Sequence, residues 1–310
     1  MIISASRRTD IPSYYSKWFL NRLHEGFVYV RNPMNHKQVS KISLSKKDVE
    51  CIVFWTKNPY PLMQNLDALK AYNYYFQFTL TPYGQNIEVN LPPKKELVPV
   101  FKKLASKIGK ERVIWRYDPV LLTQDMDVKL HLDRFQLLCD KLKEATDECV
   151  FSFLEQYPSI NKRMAQAGCR TPNKDQALKI AQGMAQICES NNIKLSTCSE
   201  SVDLSHLNIG TSKCIDDQKI KHLFNLEGHI PKDPNQRKTC GCVKSIDIGG
   251  YNTCKHGCVY CYANHYKKTL EPESLKAPIL TGSVDDSCKI TDRKVDHYFS
   301  KQISLFNDPF

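Results

Sequence analysis

Two hydrophobic periods alternate along the first two-thirds of the chain. Short runs rich in β-branched and aromatic residues read as strands: IISAS (2–6), FVYVRN (27–32), CIVFWT (51–56), YYFQFTLT (74–81), RVIWRY (112–117), CVFSFL (149–154) and IKLST (193–197). Between them, apolar residues recur at steps of three and four. Residues 13–24 read as a helix. So do the stretches carrying Leu97, Phe101, Leu104 and Ile108, then Leu132, Phe135, Leu138 and Leu142, then Ile180, Met184 and Ile187. Strand and helix in turn imply parallel strands joined by right-handed crossovers. About seven such units predict an α/β fold, a full or partial (β/α) barrel of parallel strands, rather than an open sheet. The barrel domain is expected over residues 1–200.

After Thr197 the pattern changes. One helix is predicted over 216–224, followed by the polar stretch HIPKDPNQRK and then by closely spaced cysteines. Residues 201–270 are therefore expected to form a cysteine-rich segment packed on the barrel mouth. Residues 271–310 are weakly patterned and are expected to form a polar, loosely ordered tail.

Composition narrows the class. Hydrophobic residues make up 41% and charged residues 25% of the 310, which excludes disorder of the whole chain. The start MIISASRRTD lacks the marks of a secretory signal, and no apolar run approaches the roughly 18 residues of a membrane helix. A soluble, cytoplasmic protein with no membrane partner is expected. The net charge of +11 suits a polyanionic partner such as a nucleic acid, although the lysines are spread as on a solvated helix face.

Thirteen cysteines are present, and in a reducing compartment they are poor candidates for disulfides. Cys51, Cys139, Cys149 and Cys188 sit in apolar-periodic surroundings and read as small core residues. Five others crowd between Cys240 and Cys261, which points to metal or redox chemistry.

In parallel α/β folds, functional side chains collect where strands end. Here those ends carry Arg7, Arg8 and Asp10, then Lys57, then Arg116 and Asp118, then Glu155, then Cys198 and Glu200. Lysine and arginine are poor helix caps, so Lys57, Arg116 and Asp118 are read as candidate catalytic residues. Arg7 and Arg8 are candidate ligands for a carboxylate or phosphate, and Glu200 joins them as a candidate cofactor contact.

The stretch CKHGCVYCYAN places Cys254, Cys258 and Cys261 in one loop. Structural zinc takes four closed ligands, whereas three thiolates on a four-iron cluster leave one iron open. Gly257 lets the backbone wrap closely, and Tyr260 offers an aromatic face. The loop resembles that of radical S-adenosylmethionine enzymes, in particular the branch that contains spore photoproduct lyase. The resemblance implies a [4Fe–4S] cluster on these three cysteines and S-adenosylmethionine on the open iron. It further implies a 5′-deoxyadenosyl radical that abstracts hydrogen, with an electron donor such as flavodoxin or ferredoxin. In such enzymes the loop follows the first barrel strand, and here it follows the last. First and last barrel strands are neighbours, so VKSIDI (243–248) is expected to return beside IISAS as a circular permutation. No glycine-rich or acidic motif for gripping the methionine amino group is apparent. The stretches ISASRRTDIP, VFWTKNP, FTLTPYG, WRYDP and CGCVKSIDIGGYNTCKHGCVYCYAN resemble the domain-of-unknown-function family 1848, which carries no activity over.

Cys198, Cys214, Cys240 and Cys242 are left over and form a candidate second metal site, for an auxiliary iron–sulfur cluster or zinc. Alternatively Cys240 or Cys242 completes the Cys254 triad. That closure would favour an iron–sulfur electron-transfer or sensing protein, or a zinc-stabilised nucleic-acid-binding protein.

Overall fold

The computed structural model describes residues 1–200, 202–265 and 269–301. Its centre is an eight-stranded sheet. In spatial order the strands are Ile246–Asp247, Ile2–Ala5, Cys51–Thr56, Tyr74–Thr79, Val113–Val120, Glu148–Phe153, Lys194–Thr197 and Gly210–Thr211. Every neighbouring pair is parallel. The two outermost strands do not pair with each other, so the sheet is a partial barrel.

The period-2 alternation along each strand sorts side chains to two faces. Ile3, Ile52, Phe54, Phe76, Phe78, Trp115 and Phe151 join a large apolar core with Phe101, Phe135, Ile180 and Met184 of the helices. Those helices are Lys94–Ile108, Val128–Leu142 and Lys174–Ser190, as the apolar spacing predicts. Asp127 caps the second, and Asn173 with Gln176 forms a capping box on the third. On the opposite face Ile2, Cys51, Val53, Tyr75, Ile114 and Val150 pack against Cys214, Ile215, Ile220, Ile230 and Val243. The cysteine-rich segment thus fills the inner face of the open barrel. The four cysteines read as core residues are buried.

The strand predicted at FVYVRN lies outside this sheet. Phe27–Asn32 pairs antiparallel with Asn35–Ser43, because Pro33 and Met34 alone connect them and a parallel crossover needs a dozen or more residues. The partner strand NHKQVSKIS is too polar to read as a strand. The predicted 13–24 helix is divided into Ile11–Tyr14 and Ser16–Glu25. The segment expected to be loosely ordered is tied down through residue 301. Lys289–Asp292 pairs with Asn35–Ser43, and Phe299–Lys301 pairs with Leu226–Gly228. Ala277 accepts a 2.8 Å bond from Trp18 Nε1. Residues 302–310 of that segment lie outside the described residues. No helix among the described residues is long and apolar enough to cross a membrane.

The return of the C-terminal segment beside the first strand is observed, with Ile3 opposite Ile246 and Ser4 opposite Asp247. Asp247 fastens it. Its carboxylate accepts hydrogen bonds from Ser4 Oγ at 2.9 Å, Ser6 Oγ at 2.7 Å, Arg7 N at 2.8 Å and Gly249 N at 3.0 Å. The contact is close: a Cβ on Gly249 would stand 2.0 Å from Ser6 Oγ. Gly249→Ala is therefore expected to destabilise the fold by about 1–3 kcal/mol, as overpacking does. Urea unfolding checks this, and an unchanged midpoint would show that Ser6 yields freely.

His131 is fully buried between the hydroxyls of Tyr83 and Tyr117. Burial lowers its pKa from 6.5 to about 4. The unfolded chain therefore takes up a proton that the folded one refuses. The contribution is complete above pH 6.5 and is lost as pH falls towards 4. By linkage this amounts to about 3 kcal/mol. A His131→Asn variant is expected to lose less stability than the parent across that interval. Parallel Tm profiles for the two would refute the assignment.

Candidate metal centre

The loop bearing Cys254, Cys258 and Cys261 follows the short Ile246–Asp247 strand and folds over the barrel rim. Its backbone is held against the segment after the Tyr74–Thr79 strand. Val259 N donates to Ile87 O at 3.0 Å, Asn90 N to His256 O at 2.9 Å, and Asn90 Nδ2 to Lys255 O at 2.7 Å. Gly257 has φ +67°, and a Cβ there would stand 3.2 Å from Asn90 Nδ2, so glycine allows both the turn and the approach.

His256 anchors the loop on its other side. Its Nε2 lies 2.7 Å from Asp10 Oδ2, and its Nδ1 lies 2.9 Å from Tyr14 Oη. Asp10 also accepts from Lys57 N at 2.7 Å. The end of the first strand, the end of the Cys51–Thr56 strand and the cysteine loop thus meet on one carboxylate.

A second carboxylate lies beneath. Glu88 is 1% exposed and accepts from Lys57 Nζ at 2.7 Å, from Thr81 Oγ1 at 2.8 Å, and from Lys94 Nζ and Tyr260 Oη. Burial alone would raise its pKa; the two ammonium groups outweigh that and hold it at about 2. The hydroxyl of Tyr260 is thereby fixed, and its ring lies under Lys57 Nζ at 5.4 Å. Its aromatic face, read from the sequence as a stacking surface, is turned into the protein.

The three loop thiols are close enough to feel one another: Cys261 raises the pKa of Cys254, and both raise that of Cys258. Burial pushes Cys254 up to about 12, with Asp10 and Cys261 adding to it. It raises Cys258 too, against the pull of Lys57. Against burial, backbone amides of Asp10 and His256 pull the pKa of Cys254 down, and those of Ala263 and Asn264 that of Cys261. Such donors stabilise a thiolate over a thiol. Among the described residues, no three His, Cys, Asp or Glu side chains surround a position for a single ion. A cuboidal cluster asks for a different spacing, since each thiolate binds its own iron.

The other four thiols gather elsewhere, inside the barrel. Cys198 Sγ lies 3.0 Å from Cys214 Sγ. Cys214 interacts in turn with Cys242, and Cys242 with Cys240. Their charged neighbours are Arg116, Arg7 and Asp118, whereas those of the loop thiols are Asp10, Lys57, Glu88 and Arg163. Cys240 and Cys242 therefore stand with Cys198 and Cys214 rather than as a fourth ligand to the loop.

The remaining candidate residues divide between these settings. Lys57 belongs to the loop, on Glu88. Arg116 points inward, donating from Nη1 to Cys214 Sγ at 2.9 Å and pairing with Asp118 through Nη2. Asp118 also accepts from Ser152 Oγ. Arg7 lies over Trp55 at 5.5 Å, with Cys242 and Asp247 as charged neighbours. Arg8 lies over Tyr251 at 5.1 Å. Glu200 accepts from Phe153 N at 2.7 Å, and burial raises its pKa to about 7, with Asp118 adding to the shift. Glu88, Lys94, Asp10 and His256 escaped the sequence reading as a set. Of these, His256 carried a signal in its place within the cysteine motif, and Asp10 in its place past the first strand.

Residues 2–263 match the family described as domain of unknown function, DUF1848. The chain belongs to the DUF1848 family. The matched stretch takes in both thiol groups and the buried carboxylates Asp10 and Glu88. No curated protein and no solved structure matches the chain.

Glu88→Gln would leave Lys57 and Lys94 facing each other without a counter-charge. A loss of about 3–5 kcal/mol is expected in denaturant unfolding, as for other broken buried pairs. A loss below about 1 kcal/mol would put the trio in the class of surface pairs.

Proposed function

We propose that this protein is an iron–sulfur enzyme of radical S-adenosylmethionine type, with Cys254, Cys258 and Cys261 holding a [4Fe–4S] cluster. The observation that carries this reading is the donor set. Three thiols share one loop at the strand-end rim, its backbone pinned by Ile87 and Asn90 and its His256 and Tyr260 held by buried carboxylates. When bound with S-adenosylmethionine, such a cluster supplies one-electron reduction that yields a 5′-deoxyadenosyl radical for hydrogen abstraction.

The chain's own residues provide the setting. Lys57 sets a positive charge beside Cys258. Arg163 Nη2 donates to Cys261 O at 2.7 Å and holds the loop's far end. Asp10 and Glu88, through His256 and Tyr260, fix the loop before any ligand arrives. Asp118, Ser152 and Glu200 at neighbouring strand ends keep acceptor capacity beyond their bonds to Arg116, to each other and to Phe153 N, and would meet S-adenosylmethionine or the substrate. Lys57, Arg116 and Arg7 are already engaged, so the net charge of +11 must act through the outer surface. A nucleic acid is the substrate class that this charge favours. An external donor such as flavodoxin or ferredoxin would supply the electron.

The test is electron paramagnetic resonance on protein purified without oxygen and reduced, with and without S-adenosylmethionine, followed by assay of 5′-deoxyadenosine. The expected result is a reduced [4Fe–4S] signal that changes on adding S-adenosylmethionine, with 5′-deoxyadenosine formed. Cys258→Ala is expected to abolish both. A cluster indifferent to S-adenosylmethionine would instead identify an electron-transfer or sensing protein.

A further inference from the structure

The four thiols inside the barrel sit in an environment that the proposed reaction does not call for. Cys214, Cys240 and Cys242 are 4%, 7% and 2% exposed. Cys214 and the Cys240–Cys242 pair come from two segments that fold across the inner sheet face and bring them together with Cys198. The carbonyl of Cys214 is fixed by two side chains of that face, Tyr75 Oη at 2.8 Å and Gln77 Nε2 at 2.9 Å. Its thiol is fixed by Arg116.

Two guanidinium groups point at this cluster. Arg116 is 2% exposed, in the middle of the sheet. Arg7 follows the first strand, which two others separate from that of Arg116, and its Nη2 is buried without a hydrogen-bond acceptor among the described residues. Asp118 pairs with Arg116 and Asp247 stands near Arg7, so the two guanidinium groups bridge between carboxylates and the thiols. Four thiolates around a divalent ion carry two excess negative charges, and Arg116 and Arg7 are the cations that face them.

We infer that Cys198, Cys214, Cys240 and Cys242 form a structural site for a single zinc(II) ion, separate from the three-cysteine loop. Geometry selects one ion over a cluster. In a tetrahedral thiolate site, sulfurs stand roughly 3.8 Å apart, the edge of a tetrahedron with arms of about 2.3 Å. The 3.0 Å contact between Cys198 and Cys214 is tighter than that. Here the thiols touch rather than surround an ion, in keeping with the absence of an ion-sized position among the described residues. Binding zinc would open that contact by about 0.8 Å and draw Cys240 and Cys242 in beside it. A cuboidal cluster would force the thiols much farther apart, against the packed Tyr75, Ile114 and Val150 of the sheet. Zinc so placed would pin the inner segment to the sheet. It would also hold Arg116, and through it Asp118, at the strand ends.

The inference is independent of the reaction proposed above, and the test separates them. Metal content is measured by mass spectrometry on the full chain, and zinc ligation by X-ray absorption at the zinc edge. The parent is expected to hold one zinc per chain, with sulfur alone in its first coordination sphere. The triple variant Cys254→Ala, Cys258→Ala, Cys261→Ala is expected to lose iron and keep that zinc. A Cys214→Ser, Cys242→Ser variant is expected to lose zinc. Where that variant fails to fold, Arg116→Gln replaces it, with zinc affinity expected to fall by about 10–100-fold against a competing chelator. Absence of zinc from the parent overturns the inference, as does a zinc shell containing nitrogen or oxygen. Retention of iron and sulfide in the triple variant overturns it in favour of a second cluster.

Discussion

The arrangement depends on one carboxylate. Asp247 binds the returning C-terminal strand to the first strand through two serine hydroxyls and two backbone amides. Hydrogen bonds to a charged acceptor contribute roughly 1.5–3 kcal/mol each. Two strands joined only by Ile246 and Asp247 make a weak ladder, so the side chain does much of what backbone pairing does elsewhere in the sheet. Because this strand is parallel to the first, the chain beyond it emerges at the strand-end rim, and the cysteine loop begins there. Without that register the three thiols would have no fixed relation to Asp10, Lys57 or Glu88.

Charge then distributes the thiols between two settings. At the rim, two buried carboxylates fasten the loop through His256 and Tyr260, and Lys57 stands beside Cys258. Inside the barrel, two arginines face four thiols, and carboxylates lie behind the arginines. Each group of thiols is thus matched by cations of its own. The two do not share a ligand, because the sheet rim separates the segment that fills the barrel from the loop that covers it.

Lys57, Arg116 and Asp118 show how strand-end logic both succeeds and overreaches. Parallel strands deliver all three to the same rim, as their positions imply. Their tasks differ, since Lys57 serves the cysteine loop and Arg116 serves the inner thiols. Alternation explains the split. Arg116 shares the inward face with Tyr75 and Ile114, while Lys57 lies just past its strand, where the chain has turned. The hairpin of Phe27–Asn32 shows a different limit. Its apolar pattern matches that of a barrel strand, and only the shortness of the following connection shows that it leaves the sheet.

The sequence by itself determined the barrel strands and the three long helices, because the 2.0 and 3.6 periods are local consequences of backbone geometry. It also determined the loop spacing of Cys254, Cys258 and Cys261, and the return of the chain beside its own start, since a barrel makes first and last strands neighbours. Only the tertiary structure decided which thiols meet. Cys198, Cys214 and the Cys240–Cys242 pair are far apart along the chain, and their meeting follows from the inner segment packing on one sheet face. Glu88 likewise becomes a partner of Tyr260 and Lys57 only through long-range folding. A buried charge draws its partners from whatever elements surround it, and no periodicity along the chain records which those will be.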